Sequence, residues 1–177
     1  TLHPYHAEWA IKAAEAGKHA LIEKPLGLTA FEADAMFHAA RKAGTFMAEA
    51  FMYRSHPQTA KLVELIGAGA IGEVRMVKSS FGFAMSKFDP NHRLYANDAA
   101  GGGILDVGCY PVSMARLIAG AAANKPFLDP VMVAGTAHLG AQRTDEWASA
   151  LLKFPNEIIA EVSCSISLQQ DNVLRVI

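Results

Sequence analysis

Two short apolar runs separated by a helical pattern constrain the fold of this chain more than any other feature of its sequence. The runs cover residues 19–22 and 45–51, and the helical pattern between them starts at Thr29 and stops at Gly44. Another helical pattern, over residues 5–17, precedes the first run. Strands and helices that alternate at this spacing are typical of βαβ units, in which the strands are parallel. The sequence therefore predicts an α/β fold that begins with part of a parallel sheet.

The ends and the inner faces of these two helices can also be predicted. Thr29 and Glu32 form a capping-box pattern at the start of the second helix, and Gly44 is a typical terminating residue. Apolar residues at helical spacing are expected to face the core. They are Trp9, Ala10, Ala13 and Ala14 in the first helix, and Phe31, Ala35, Met36 and Ala39 in the second.

After Arg54 the pattern changes to longer strands. The predicted elements are a helix from His56 to about residue 66, a strand at 72–83, a polar loop at 86–99, a helix from the glycines at 101–103 to about residue 119, and strands at 131–139, 147–154, 158–168 and near Val173. Long successive strands favour a mostly antiparallel sheet with one face exposed or covered by a partner. We therefore expect a parallel α/β unit over residues 1–53 and an α+β unit over residues 54–177.

Composition excludes several classes of protein. Hydrophobic residues make up 51% of the chain, which is too many for a disordered protein. The net charge is −1, with 16 basic and 17 acidic residues and no basic block, so the chain lacks the charge pattern of a nucleic-acid-binding protein. No apolar run in the sequence approaches the roughly 18 residues of a membrane span, and we expect no such segment.

The cysteines and histidines indicate the cellular compartment and whether a metal site is expected. The two cysteines, Cys109 and Cys164, are too few for a disulfide scaffold and favour a reducing, cytoplasmic compartment. The histidines show no metal-ligand spacing, so no metal site is expected. The chain begins at Thr1 and ends on the apolar pair Val176 and Ile177, from which we expect it to be a fragment.

Glu23, Lys24 and Pro25 form the first motif that bears on chemistry. They follow the first predicted strand, at the edge of a parallel sheet where ligands bind. Pro25 keeps Lys24 out of the helical conformation, so the lysine lies on an extended turn. A ligand contact for Lys24 is one interpretation. A solvated lysine beside a turn proline is the other.

The second motif follows the glycines at 101–103. Asp106 and Tyr110 are four residues apart, which places them on one face of a helix, and Gly108 between them leaves that face open. Pro111 cannot donate to the preceding turn, so a kink is expected. Asp106 and Tyr110 are either a proton-transfer pair or an aspartate favoured by the helix dipole beside a core tyrosine.

Taken together, the motifs resemble the Gfo/Idh/MocA family, which includes glucose–fructose oxidoreductase, inositol dehydrogenase and dimeric dihydrodiol dehydrogenase. The resemblance runs through the whole chain, in the segments at 6–9, 16–19, 23–25, 49–54, 69–74 and 101–110. It implies the C-terminal remnant of a Rossmann sheet followed by an α+β domain built on a large open-faced, mostly antiparallel sheet. It also implies NAD or NADP as cofactor. The family's glycine fingerprint and the residue that selects between the two cofactors are absent from this sequence.

The resemblance implies roles for the residues of both motifs. Lys24 is expected near the nicotinamide and the substrate, and Asp106 and Tyr110 are expected to line the reaction site. Tyrosine rather than histidine at 110 is similar to the dihydrodiol, aldose and glucose–fructose branch. In the mechanism we expect, Tyr110 takes the hydroxyl proton, the Lys24 ammonium lowers the pKa of Tyr110, and Asp106 orients the lysine or the substrate.

Further cofactor-binding candidates come from the same comparison. Thr1, His3 and His6 lie where the family's strand-end loop passes the cofactor, although His6 is also suited to cap its helix. Glu23 belongs to the Lys24 motif. Arg54 follows the last parallel strand, where an ion pair that links the two units is the alternative.

Candidate substrate-binding residues lie in the polar loop. His92 and Arg93 precede the glycine triplet, where they form either a substrate-facing lid or a solvated charged segment. Cys109 is interpreted as a small core residue rather than a nucleophile. Trp147, Phe81 and Phe83 are expected to cover sheet faces or to form a subunit interface.

The sequence thus predicts an NAD(P)-dependent oxidoreductase that transfers hydride to or from a sugar, polyol or dihydrodiol. The alternative within this fold is a ligand-sensing or regulatory protein without catalysis. A dimerisation module made of the sheet alone is a third possibility. A homo-oligomer formed through the open sheet face is expected, and the fragment by itself is expected to be inactive.

Overall fold

The computed structural model describes residues 1–177, which form four helices and seven strands. The helices are α1 (His6–Glu15), α2 (Ala30–Ala43), α3 (Pro57–Gly67) and α4 (Cys109–Ala121). The strands are β1 (Ala20–Ile22), β2 (Met47–Glu49), β3 (Met76–Gly82), β4 (Met132–Leu139), β5 (Asp145–Lys153), β6 (Ile159–Ser165) and β7 (Leu174–Val176). Short 3-10 turns precede α1 and α3, and a π-helical turn, Ile104–Gly108, leads into α4.

The first unit is the parallel α/β piece expected from the sequence. Strands β1 and β2 pair in parallel, with Ile22 opposite Glu49, and α1 and α2 pack together beside them. Its core is made of small and unbranched residues: Ala10, Ala14, Ile22, Met36, Ala40 and Met47. Because parallel strands end at one edge, the residues that follow β1 and β2 come close together.

Part of the predicted inner face is wrong. Trp9 is 58% exposed and Phe31 is 83% exposed, whereas the buried positions of α2 are Met36 and Ala40. Each helix is covered on one narrow stripe only, where alanines let α1 and α2 approach closely. The large aromatic side chains on the flanks of that stripe remain in solvent.

The predicted ends of α2 are largely confirmed. The Thr29 hydroxyl accepts a hydrogen bond from the Glu32 amide at 3.1 Å, and Gly44 adopts a left-handed conformation with φ of 66°. The Glu32 carboxylate reaches back to the amide of Leu28 rather than to that of Thr29. The cap is therefore displaced by one residue from the standard capping box.

The second unit is built on a five-stranded sheet in the order β4-β5-β6-β3-β7. Three of its four strand pairs are antiparallel, and β3 pairs with β6 in parallel. The fold class expected from the sequence is thereby confirmed. Helices α3 and α4 cover one face of β3 and β6, with Phe154, Ile118 and Val77 fully buried between the layers.

The sequence predicts a kink just beyond Tyr110, but α4 runs without interruption through Pro111, and the irregularity is the π-helical turn Ile104–Gly108 upstream of it. The Cys109 amide donates to the carbonyl of Ile104, five residues earlier. This wider turn changes the helical register just before Pro111, which has no amide hydrogen to donate.

One continuous helical stretch, Ile104–Ala121, is long and apolar enough to cross a membrane by length and composition. The expectation that no run approaches this length is therefore wrong. The stretch includes Asp106 and Arg116, and more than half of it is buried against the rest of the chain. A core helix meets the same criterion, so the finding is weak evidence for a membrane segment.

Strand β4 is exposed along its whole length. Its apolar members include Met132, Val133 and Leu139, and Leu151 on neighbouring β5 is also exposed. Trp147 stacks on His138 with ring centroids 3.8 Å apart, so it covers part of the sheet as expected. Phe83 packs instead against a small cluster of Leu94, Tyr95 and Ile166.

Candidate active site

Lys24 lies on a turn just beyond the carboxyl end of β1. The following residue, Pro25, is buried, and the Lys24–Pro25 peptide bond is cis, which the sequence did not predict. The lysine side chain is only 17% exposed and points towards the second unit. It is therefore directed at a specific partner rather than solvated, which excludes the alternative considered for this motif.

That partner is Asp106 in the π-helical turn. The Lys24 ammonium donates to the main-chain carbonyl of Asp106 and lies 3.3 Å from its Oδ1. Arg93 donates to the same Oδ1 at 3.1 Å. Asp106 is buried, so two cations share one desolvated carboxylate oxygen. Its other oxygen, Oδ2, makes no hydrogen bond within the protein and is free to accept one from a ligand.

Tyr110 lies beneath the same ammonium. The Lys24 Nζ is 5.4 Å from the centre of the Tyr110 ring, over its face. Phe51 and Phe81 contact the ring edge-to-face at centroid distances of 5.2 and 5.3 Å. The Tyr110 hydroxyl makes no hydrogen bond within the protein. The structure thus brings together the three residues to which catalytic roles were assigned, and those roles remain predictions.

The expected effect of Lys24 on Tyr110 is wrong. Burial, followed by the negative charges of Cys109 as thiolate, Glu23, Asp106 and Glu49, raises the pKa of Tyr110 above its usual value of 10.0. The Lys24 ammonium lies over the ring face and is engaged with Asp106, and it does not offset the effect of burial. At neutral pH the Tyr110 hydroxyl is therefore a proton donor.

A polar cavity of about 160 Å³ adjoins the Lys24–Asp106 pair. It is lined by Thr1, Leu2, His3, His6, Glu23, Lys24, Arg93, Ala99 and Asp106. Tyr110 does not line it. It borders a neighbouring cavity of about 290 Å³ together with Tyr53, Phe81 and Met114. Lys24 is therefore the group that connects the polar cavity with the tyrosine.

The two histidines in the polar cavity are held by main-chain carbonyls. His3 Nδ1 lies 3.1 Å from the carbonyl oxygen of Ala100, and burial lowers the pKa of His3 below 6.5. His6 Nδ1 lies 2.8 Å from the carbonyl oxygen of Pro25, and its Nε2 lies 3.4 Å from that of Thr1. Both nitrogens of His6 thus face carbonyls, and its cofactor-binding role stays a prediction.

The remaining candidates differ in their positions. Glu23 and Arg93 line the polar cavity, whereas His92 and Arg54 do not. The His92 ring accepts a hydrogen bond from the Leu94 amide, which fixes the turn that presents Arg93. Arg54 is exposed and forms no ion pair, so the alternative of an ion pair between the two units is wrong.

The glycine triplet allows close approach of the chain to itself. A Cβ on Gly101 would lie 2.5 Å from the Leu94 carbonyl oxygen and 2.7 Å from that of Arg93. Gly102 has φ of 114° and lies against the carboxylate of Asp145. Only glycine allows the 93–94 segment to pack here, and this packing places Arg93 against Asp106.

Gly108 also packs tightly rather than leaving the helix face open as expected. It is buried, and a Cβ there would lie 2.8 Å from the Cys164 sulfur on β6. The close contact seats the π-helical turn directly on the sheet. Asp106 and Tyr110 are thereby presented on the opposite side, towards Lys24.

Two acidic residues near the site were given no role by the sequence. Asp145 accepts a hydrogen bond from the Ile104 amide at 2.6 Å and holds the start of the π-helical turn; its burial raises its pKa. Glu49, at the end of β2, accepts one from the Leu26 amide at 2.7 Å, and its burial likewise raises its pKa. Only their contacts in the fold reveal these roles, because an isolated acidic residue in a strand has no distinctive spacing.

The two thiols are not activated. Burial raises the pKa of Cys109 to about 11 and that of Cys164 to about 12, and neither forms a disulfide. Both are therefore protonated at neutral pH. No group of three or more His, Cys, Asp or Glu side chains within residues 1–177 is arranged to hold a metal ion.

The geometry defines a class of protein: part of a parallel α/β sheet whose strand-end lysine reaches a carboxylate and a tyrosine on a second, open-faced sheet unit. Comparison with known families agrees. Residues 1–51 match the description "Oxidoreductase family, NAD-binding Rossmann fold", and residues 59–177 match "GFO/IDH/MocA C-terminal domain". The chain belongs to the Gfo/Idh/MocA family, which confirms the resemblance seen in the sequence.

Individual relatives support the same assignment. The chain is 36% identical to mouse trans-1,2-dihydrobenzene-1,2-diol dehydrogenase over 97% of its own length and 49% of that enzyme. It is 45% identical to a D-xylose 1-dehydrogenase (NADP(+)) of Haloferax volcanii over 65% of its length and 35% of that protein. The chain thus spans about half or less of the length of these curated relatives.

Solved structures show the same fold. An aldose-aldose oxidoreductase from Caulobacter crescentus, complexed with glycerol, superposes with a TM-score of 0.83 at 26% identity, over 96% of this chain and 50% of the other. A 3-ketoreductase from Actinomadura kijaniata, in complex with TDP-benzene and NADP, superposes with a TM-score of 0.82 at 28% identity, over 99% of this chain and 50% of the other.

Proposed function

We propose that the protein is an NAD(P)-dependent oxidoreductase acting on a hydroxyl or carbonyl group of a sugar, polyol or dihydrodiol. One observation carries the proposal: Lys24, Asp106 and Tyr110 converge although they come from distant parts of the sequence. The ammonium contacts both the carboxylate and the phenol ring. A purely structural ion pair has no need of a free phenol hydroxyl beside it.

The residues around the polar cavity fit the nicotinamide end of such a cofactor. The cavity lies at the carboxyl edge of a parallel sheet and is lined mainly by polar groups. Thr1, His3 and Glu23 would hold the ribose and amide groups, and Lys24 would lie between cofactor and substrate. When bound, the nicotinamide supplies the hydride or accepts it.

The chain's own residues would orient the substrate and move the proton. Asp106 Oδ2 accepts a hydrogen bond from one substrate hydroxyl. Arg93 is half exposed and donates to the substrate or to Asp106. The Tyr110 hydroxyl is protonated at neutral pH and donates its proton to a carbonyl oxygen that is being reduced. In the oxidative direction the ionised form of the same phenol, which forms at higher pH, takes the proton back.

A ligand-sensing protein of the same fold is the second candidate function. It would use the polar cavity in the same way but would have no use for a proton donor next to the lysine. The presence of Tyr110 favours the enzyme. Turnover separates the two candidates, because a sensor binds ligand without consuming cofactor.

The exposed sheet is our proposed contact surface for a second copy of the chain. Its support is the row of exposed apolar residues on β4 and β5, among them Met132 and Leu151. Light scattering of the complete polypeptide should give a dimer or larger oligomer, and Leu151→Asp should shift it towards the monomer. A monomeric wild type would contradict this.

Two further parts of the proposal concern the binding partner and the cellular location. The balanced charge and the engagement of the 104–121 helix in the core support a small molecule, rather than nucleic acid or a membrane, as partner. The two free cysteines support a cytoplasmic location. Cell fractionation with an antibody to the protein tests the location.

The function is tested by titrating the complete polypeptide with NADH and NADPH, following nicotinamide fluorescence, and then assaying a panel of aldoses, polyols and trans-dihydrodiols. Binding of one cofactor together with turnover of a panel member supports the oxidoreductase. Binding without turnover of any compound supports the sensor.

A further inference from the structure

The peptide unit that joins Pro25 and Leu26 is held at both of its polar ends by side chains. Its carbonyl oxygen lies 2.8 Å from Nδ1 of His6, and its amide donates to Oε1 of Glu49 at 2.7 Å. Neither end bonds another backbone group. The orientation of this peptide is therefore set entirely by two side chains.

The two side chains come from opposite sides of the turn. His6 is the first residue of α1 and is 2% exposed. Glu49 is the last residue of β2. Because a carbonyl oxygen can only accept, Nδ1 of His6 carries a hydrogen in the bond to Pro25. His6 thus donates from the helix side while Glu49 accepts on the strand side, and neither has a part in the proton transfer described above.

The clamped peptide follows directly after Lys24 and Pro25. The lysine side chain leaves the turn there and must reach the carbonyl and Oδ1 of Asp106, 82 residues further along the chain. A rotation of the clamped peptide would swing the lysine backbone and move its ammonium away from Asp106 and Tyr110. Reaction rates are sensitive to displacements of about 1 Å, which can cost about a hundredfold.

We propose that His6 and Glu49 are positioning residues that together fix the Lys24 turn and thereby place its ammonium. This inference rests on the proposed oxidoreductase function for its effect on rate. It gives His6 a role in holding the turn rather than in touching the cofactor. It also gives a function to Glu49, to which the sequence assigned no role.

Kinetics of the complete polypeptide test the effect on rate. His6→Ala and Glu49→Ala remove one end of the clamp each and should lower kcat by about 10- to 100-fold with a smaller change in the KM for substrate. His6→Asn and Glu49→Gln keep a donor and an acceptor in place and should recover most of the loss. Phe154→Leu, in the core of the second unit, is the control for lost stability and should leave kcat unchanged.

Amide hydrogen exchange, followed by NMR, tests the clamp without any activity. The Leu26 amide should be protected in the wild type, should exchange at least about tenfold faster in Glu49→Ala, and should stay protected in Glu49→Gln. Equal exchange of Leu26 in all three proteins would overturn the clamp. Equal kcat values in His6→Ala, Glu49→Ala and Phe154→Leu would also overturn the clamp. A wild type without turnover would instead contradict the oxidoreductase function, while the exchange result would still decide the clamp.

Discussion

Lys24 and Asp106 form an ion pair with Nζ 3.3 Å from Oδ1, although one residue ends a parallel strand and the other lies in a π-helical turn of the second unit. The pair joins the two units at the edge of the sheet where cofactors bind in this fold class. The side chains are 17% and 7% exposed, so water screens their attraction only weakly. The lysine is thereby held over the Tyr110 ring.

Replacing Lys24 with methionine removes the ammonium and keeps a side chain of similar length. Asp106 then retains Arg93 alone, and the charge between the polar cavity and Tyr110 is lost. We expect kcat of the complete polypeptide to fall by about 100-fold, the scale of a lost charge-stabilising group. Lys18→Met, at an exposed position without an ion pair, is the matched control. Equal rates in the two variants would exclude a role for Lys24.

Gly101→Ala should destabilise the protein because its Cβ would collide with two main-chain carbonyls. The oxygens of Leu94 and Arg93 lie 2.5 and 2.7 Å from that position and cannot move independently of the chain. We expect a loss of about 2–3 kcal/mol in the free energy of unfolding, measured by urea denaturation.

Gly17→Ala is the control for that measurement. Gly17 has φ of 68° but nothing lies within 4 Å of its Cβ position, so only backbone strain of about 1 kcal/mol is expected. A Gly101→Ala variant no less stable than Gly17→Ala would show that the packing of residues 93–94 is not as described.

The two thiols predict the behaviour of the protein at high pH. Burial raises their folded pKa values to about 11 and about 12, above the usual thiol pKa of 9.0, so the unfolded chain loses these protons first. The contribution of the two protonated thiols to the free energy of unfolding is full below about pH 9. It is lost as the pH rises through the folded pKa values of about 11 and about 12. Thermal melts should show this loss between pH 9 and 11, and Cys109→Ala should reduce it. Rapid labelling of native Cys109 by iodoacetamide at pH 7 would contradict the burial of the thiol.

Local periodicity in the sequence predicted the order of elements. That Lys24, Asp106 and Tyr110 lie at one site was implied by the family resemblance, because the residues by themselves left other interpretations open. It misplaced Trp9 and Phe31, since periodicity shows which residues are apolar but not how wide a stripe the neighbouring elements cover. The direction of the Tyr110 pKa shift was also missed. It depends on where the ammonium lies relative to the phenol oxygen, which is a tertiary property.

Contacts between distant segments account for the remaining differences. The glycine triplet accommodates residues 93–94 and the carboxylate of Asp145, and these partners are distant from it in the sequence or set by tertiary packing. The clamp on the Lys24 turn depends on Glu49, whose role appears only when β2 lies beside β1. A motif can indicate that a turn matters without showing which side chains hold it in place.

Tyr110 gives the most direct test of the proposed chemistry. The measurement is the rate of hydride transfer by the complete polypeptide, wild type and Tyr110→Phe, followed by the absorbance of reduced nicotinamide across a range of pH. We predict that Tyr110→Phe lowers turnover at least about tenfold and leaves cofactor affinity nearly unchanged. Burial raises the pKa of Tyr110 above the usual 10.0 of a phenol, so carbonyl reduction by the wild type should not fall until the pH is higher than that value. Unchanged turnover in Tyr110→Phe would contradict the assignment of this phenol as the proton donor.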